Sequence, residues 1–79
     1  MPSVVLFGRA GCHLCDVARE TILAVRERGG FAFEEVDIDT SDALIRDYGY
    51  RVPVVRIDGQ DVFEGDVPEP AFEAMVRAR

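Results

Sequence analysis

Val4-Val5-Leu6-Phe7-Gly8-Arg9-Ala10-Gly11-Cys12-His13-Leu14-Cys15 is the stretch on which the fold turns. Its first four residues are a short apolar run ended by Gly8, which suits a strand of a parallel sheet buried on both faces. Gly8 to Gly11 reads as a loop, and a helix is expected to begin near Cys12. On that helix Cys15, Ala18, Ile22 and Val25 share one stripe, while Arg19, Glu20, Arg26 and Glu27 fall largely outside it. Gly29-Gly30 is a strong stop. Two cysteines three positions apart therefore stand where a strand passes through a loop into a helix.

Working outward, Phe31 to Asp39 is rich in aromatic and β-branched residues, and Val36 and Ile38 keep period two, so a strand is expected there. Ser41 is an N-cap for a short helix through Tyr48, ended by Gly49. Pro53 to Ile57 and Gln60 to Phe63 flank Asp58-Gly59, a hairpin signal. Pro68 and Pro70 mark the start of a last helix whose apolar face is Phe72, Met75 and Val76. The order is β-α-β-α-β-β-α. A strand–helix–strand start implies parallel pairing and the terminal hairpin adds antiparallel strands. The expected class is α/β, a four-stranded mixed sheet with helices on both faces, in the thioredoxin-fold order.

A chain of 79 residues makes one domain, 1–79. At this length roughly 60% of the unfolded surface is buried, enough for a modest core. Two cysteines are too few for a disulfide-stapled secreted module. Fifteen acidic residues against nine basic ones, all arginine, give a net charge of −6. Such a surface has no electrostatic footprint for nucleic acid and is repelled by anionic membranes. The start of the chain lacks a basic n-region with a long apolar run, so a cytoplasmic location is expected, and separately a monomer. In that compartment a C-x-x-C pair is catalytic or metal-binding more often than a structural cross-link.

The spacing and its context favour redox chemistry. A thiolate attacks disulfides, and a free cysteine with a pKa of about 8.5 is mostly protonated at neutral pH. A sulfur at the start of a helix faces unsatisfied backbone N–H groups and the positive end of the dipole, and both favour the anion. Cys12 is therefore the expected nucleophile. Cys15, one turn later, is the expected resolving thiol. A structural zinc site needs four ligands, and the chain offers two cysteines and His13, so zinc or an iron–sulfur group through Cys12 would require a dimer. A structural disulfide closing so short a loop stabilises by only about 2 kcal/mol. Two buried core cysteines would leave the loop–helix junction unexplained.

Neighbouring residues have paired readings. His13 either lends partial positive charge to Cys12 or is a solvated side chain. Arg9 either steadies the thiolate and binds an anionic thiol, or is a plain surface arginine. Asp16 opposes the thiolate if it is close, or only satisfies the helix N-terminus. Val52-Pro53 opens a strand, where proline is tolerated. Only about 5–6% of such bonds are cis, so spacing alone says trans. The backbone of Val52 is open to pair with an extended substrate.

With these residues assembled, the chain resembles the glutaredoxin family, in particular its short glutaredoxin-like members. The resemblance rests on Phe7 through Cys15 with Arg9, on Glu34 to Asp39, and on Tyr48-Gly49, Val52-Pro53 and Asp58-Gly59. It implies a thioredoxin fold, a cis Pro53 beside the cysteine pair and substrate pairing at Val52. It implies reduction of protein or low-molecular-weight disulfides, with no bound cofactor and with glutathione or another thiol as electron donor. Roles in electron transport and cell redox homeostasis follow from it. Arg9 matches the family's lysine, which touches a glutathione carboxylate. The chain departs from the family at His13-Leu14, where Pro-Tyr is common. A second departure is Phe63-Glu64-Gly65-Asp66-Val67, where a glycine pair and an aspartate usually bind glutathione. Gly65 and Asp66 are the nearest equivalents. A redoxin served by a thioredoxin reductase is the related alternative, although the aromatic signature of such proteins near the last helix is absent.

Overall fold

The computed structural model describes residues 2–78. The chain runs β1 (Ser3–Gly8), α1 (His13–Glu27), β2 (Ala32–Asp37), a single 3-10 turn (Ile38–Thr40), α2 (Asp42–Tyr48), β3 (Val54–Ile57), β4 (Gln60–Glu64) and α3 (Glu69–Arg77). The strands lie in the order β2-β1-β3-β4. β1 pairs parallel with β2 and antiparallel with β3, which pairs antiparallel with β4. This is the expected mixed sheet and element order.

β1 is central, so both its faces need cover, and this is why its sequence is a continuous apolar run. Val4 and Leu6 join Ala18, Ile22 and Val25 of α1, Val55 and Ile57 of β3 and Phe72 and Val76 of α3 in the larger core. Phe7 turns to the opposite face and meets Ile38, Tyr48 and Val54. The two faces are thus covered by α1 and α3 on one side and by the 3-10 turn and α2 on the other. Phe31 and Phe72 lock the larger core edge to face, with centroids 5.8 Å apart.

Three boundaries differ from the sequence expectation, each for a local reason. β2 ends at Asp37, because the Asp37 carboxylate accepts the Asp39 N–H (2.9 Å) and its carbonyl accepts the Thr40 hydroxyl (2.7 Å). A side chain that bonds its own downstream backbone competes with the ladder and turns the chain. Ile38 nevertheless stays buried. Pro53 stands outside β3, and the Val52–Pro53 bond is cis. Cys12 is the N-cap of α1, one place ahead of the first helical residue, His13. Other signals hold as read. The Ser41 hydroxyl accepts the Leu44 N–H (3.3 Å), and Asp58 and Gly59 both have positive φ (50° and 85°), as a tight hairpin requires. The β3–β4 register skips from Val55–Phe63 to Arg56–Asp61, leaving Val62 as an extra, bulged residue.

Candidate active site

The strand registers bring three loops to one end of the sheet. Gly8 ends β1 opposite Asp37, Phe7 pairs with Val54, and Val54 pairs with Glu64. The β1–α1 loop, the Val52-Pro53 entry to β3 and the Gly65-Asp66 exit from β4 therefore adjoin. The Gly65 N–H donates to the Pro53 carbonyl (2.7 Å), and Gly65 holds φ at +79°, a conformation glycine adopts at little cost.

The cysteines are at the centre of that end. Cys12 and Cys15 form a disulfide, with Cα atoms 5.2 Å apart. Cys15 is fully buried and Cys12 half-buried. The Cys15 N–H donates to Cys12 Sγ (3.2 Å), so this sulfur fills the place of a capping oxygen at the helix N-terminus. Gly8 gives Cys15 its room: a Cβ at Gly8 would lie 3.2 Å from both Cβ and Sγ of Cys15. Gly11, with φ +77°, turns the loop into the helix.

His13 is exposed on the first turn, beside Cys12. Arg9 is directed at its own chain. Its guanidinium bridges both Asp39 carboxylate oxygens and donates to the Gly49 carbonyl (3.3 Å), tying the β1–α1 loop to the 3-10 turn and the end of α2. Asp16 is held by Arg19 (3.0 Å), which also makes a two-oxygen contact with Glu35. The Glu35 carboxylate, then Asp16, raises the Arg19 pKa above its ordinary value, so this cation is permanent. Together Gly8, Arg9, Asp16, Arg19, Glu35 and Asp37 line a shallow cleft between the loop, α1 and β2. The Val52 N–H is donated to the Tyr48 carbonyl (3.2 Å), so only half of the expected backbone pairing edge is open. Asp66 is exposed.

Sequence reasoning missed several partners. Asp39 as the counter-charge of Arg9 could have been found from parallel pairing, which sets the end of β2 beside Gly8-Arg9. Behind the cis bond, Arg56 pairs with Asp61 (2.8 Å) and donates to the Tyr48 hydroxyl (2.6 Å), while the Phe7 and Tyr48 rings stack 4.6 Å apart. Burial raises the Tyr48 pKa, against the lowering pull of Arg56. Leu14, between the cysteines, is 54% exposed, and Tyr50, ahead of Val52, is fully exposed. Among the described residues no group of three or more His, Cys, Asp or Glu side chains is arranged to hold a metal. No described helix is long and apolar enough to cross a membrane.

Residues 3–77 match the glutaredoxin-like domain family (DUF836). The chain belongs to this family. The glutaredoxin-like domain is 31% identical to an uncharacterized protein of Mycobacterium tuberculosis, the match covering 92% of this chain and 80% of that one. Its structure is similar to the X-ray structure of target protein XcR50 from X. campestris, with a TM-score of 0.80 and 36% identity over 98% of this chain and 99% of that one. It is also similar to a thioredoxin variant from Halobacterium salinarum, with a TM-score of 0.75 and 26% identity over 98% of this chain and 73% of that one. A C-x-x-C pair closed as a disulfide at the helix start of a thioredoxin-like fold supports a redox function.

Proposed function

We propose that this chain is a cytoplasmic thiol–disulfide oxidoreductase that reduces protein or low-molecular-weight disulfides through Cys12 and Cys15. The carrying observation is the half-buried Cys12 sulfur at the N-cap of α1, 3.2 Å from the Cys15 amide, with the second sulfur buried one turn on. In the dithiol state the same amide and the helix dipole favour the Cys12 thiolate.

The thiolate attacks one sulfur of a substrate disulfide. A bond forms from Cys12 to that sulfur, the substrate's S–S bond breaks, and the departing thiolate takes up a proton. Cys15, after losing its proton, then attacks Cys12 Sγ. The Cys12–Cys15 disulfide forms and the second substrate thiol leaves. Two electrons pass from the cysteine pair to the substrate, and no bound cofactor takes part. Two equivalents of glutathione or another thiol, or a thioredoxin reductase, restore the pair. The Val52 carbonyl can accept a hydrogen bond from an extended substrate, with Pro53, Gly65 and Asp66 beside it.

The reading is tested by substitution. Cys12→Ser abolishes turnover, whereas Cys15→Ser accumulates a mixed disulfide on Cys12, seen as a mass increase by intact mass spectrometry. Full disulfide reductase activity in Cys12→Ser overturns it.

A further inference from the structure

Arg9 lies on the cysteine loop, three residues ahead of Cys12, where a cation could receive the carboxylate of an anionic thiol. Asp39 already fills its guanidinium fork and the Gly49 carbonyl takes a further N–H. On the other side of the cysteines, Arg51, next to Val52, is likewise occupied. Its Nε donates to Glu64 (2.7 Å) and its Nη1 to the Asp47 carbonyl (3.1 Å). Negative charge at this end is only partly answered. Asp66, beside the Pro53–Gly65 contact, is exposed and makes no ion pair among the described residues. Arg19 carries two carboxylates, Asp16 and Glu35, on a single positive charge. The chain as a whole is at −6.

From this we infer that the Cys12–Cys15 site discriminates by charge, taking disulfides flanked by positive groups ahead of those carrying carboxylates, with Asp39 as the specificity-determining residue that closes Arg9 to anions. The inference rests on the oxidoreductase reading and deepens it. An approaching cation is drawn by the uncompensated carboxylates, and an approaching carboxylate is repelled and finds the Arg9 and Arg51 guanidinium groups already occupied. Asp39 acts through Arg9 and is a positioning residue, touching no reacting atom.

The pre-reduced protein is mixed with three small disulfides: cystamine, hydroxyethyl disulfide and dithiodiglycolate, which are cationic, neutral and anionic. Single-turnover oxidation of the cysteine pair is followed by quenching with an alkylating agent and mass spectrometry, across a salt series. Leaving-group reactivity differs among the three, but only attraction and repulsion between charges depend on salt. On going from low to high salt the rate with cystamine falls about threefold or more, that with dithiodiglycolate rises, and that with hydroxyethyl disulfide holds. Equal slopes for all three, or the reverse order, overturn the inference while leaving the oxidoreductase reading in place. Failure to reduce even hydroxyethyl disulfide overturns that reading, and the inference with it.

Asp39→Asn releases Arg9 and raises the rate with dithiodiglycolate relative to cystamine about threefold or more at low salt. A uniform loss on all three probes would make Asp39 structural and overturn its assignment. Asp66→Asn, on an exposed carboxylate that makes no ion pair among the described residues, shifts the same ratio in the same direction. A cystine-bridged peptide flanked by lysines separates the two sources of such charge. A rate above that of cystamine points to a protein segment, and an equal rate to a small aminothiol.

Discussion

The two ends of the sheet are built differently. At the end away from the cysteines the chain satisfies itself. Ala32 donates to the Pro2 carbonyl (3.0 Å), and Asp58 and Ser3 exchange hydrogen bonds through the Asp58 amide (2.8 Å) and carboxylate (2.9 Å). Arg77 donates to the Gly29 and Val25 carbonyls (2.9 and 3.1 Å), and Arg28 holds Glu69 and Glu73. The cysteine end carries a cis peptide bond, two positive-φ glycines, a capping sulfur and exposed Leu14 and Tyr50. Where one end is closed by ordinary pairing, the other leaves a half-buried sulfur and two large exposed side chains, Leu14 and Tyr50. Stability and chemistry are therefore separable by position, and substitutions can be chosen to show it.

The sharpest separation comes from Cys12→Ser, which should lower disulfide reduction to the uncatalysed background. Its unfolding free energy should stay within about 2 kcal/mol of the wild-type oxidised form, since only a four-residue loop closure is lost. Equal loss of folding and activity would break the comparison. Phe72→Ala is the converse. It removes a fully buried ring from the larger core and should cost about 3–5 kcal/mol in denaturant unfolding. A domain of this size has only about 4–12 kcal/mol to lose, yet the folded fraction should keep its thiol reactivity.

Gly8→Ala joins the two ends. The added methyl would press on Cys15 at 3.2 Å, so a cost of about 1–3 kcal/mol is expected, with an altered ratio of disulfide to dithiol in a redox buffer. Tyr48→Phe should cost about 1 kcal/mol through the lost bonds to Arg56 and Asp61, read from the same denaturant curves. The smallest effect belongs to the far end. Arg28 holds the Glu73 carboxyl below its ordinary 4.5. A depressed folded pKa adds stability above the unfolded value, and that stability is lost as pH falls through the folded one. Unfolding curves below about pH 4.5 should therefore be less steeply pH-dependent in Arg28→Gln than in the wild type.

Much of this was legible in the residues. The unbroken apolar run of β1 announced burial on both faces, Asp58-Gly59 announced the hairpin, and Ser41 announced a cap. What escaped was whatever needs a third dimension or a competing local bond. Asp37 ends its strand early by bonding its own backbone, although Val36 and Ile38 keep strand periodicity. Arg9 and Asp39 are 30 positions apart and meet only because β1 and β2 run parallel. The bulge at Val62 leaves no mark beyond an ordinary apolar residue. At the candidate site, the cysteine spacing marked the loop–helix junction, while the neighbouring charges come from elsewhere in the chain: Asp39 from the 3-10 turn, Glu35 from β2 and Glu64 from β4.

Among the described residues the strand order β2-β1-β3-β4 leaves β2 and β4 at the edges, and both carry charged pairs: Glu35 of β2 with Arg19, and Asp61 and Glu64 of β4 with Arg56 and Arg51. A second molecule offering either edge for pairing has to disturb these charged pairs, and charged side chains along an edge are a device by which open sheets avoid one another. That protection is electrostatic, so concentrated salt is the condition under which self-pairing of these molecules becomes easiest.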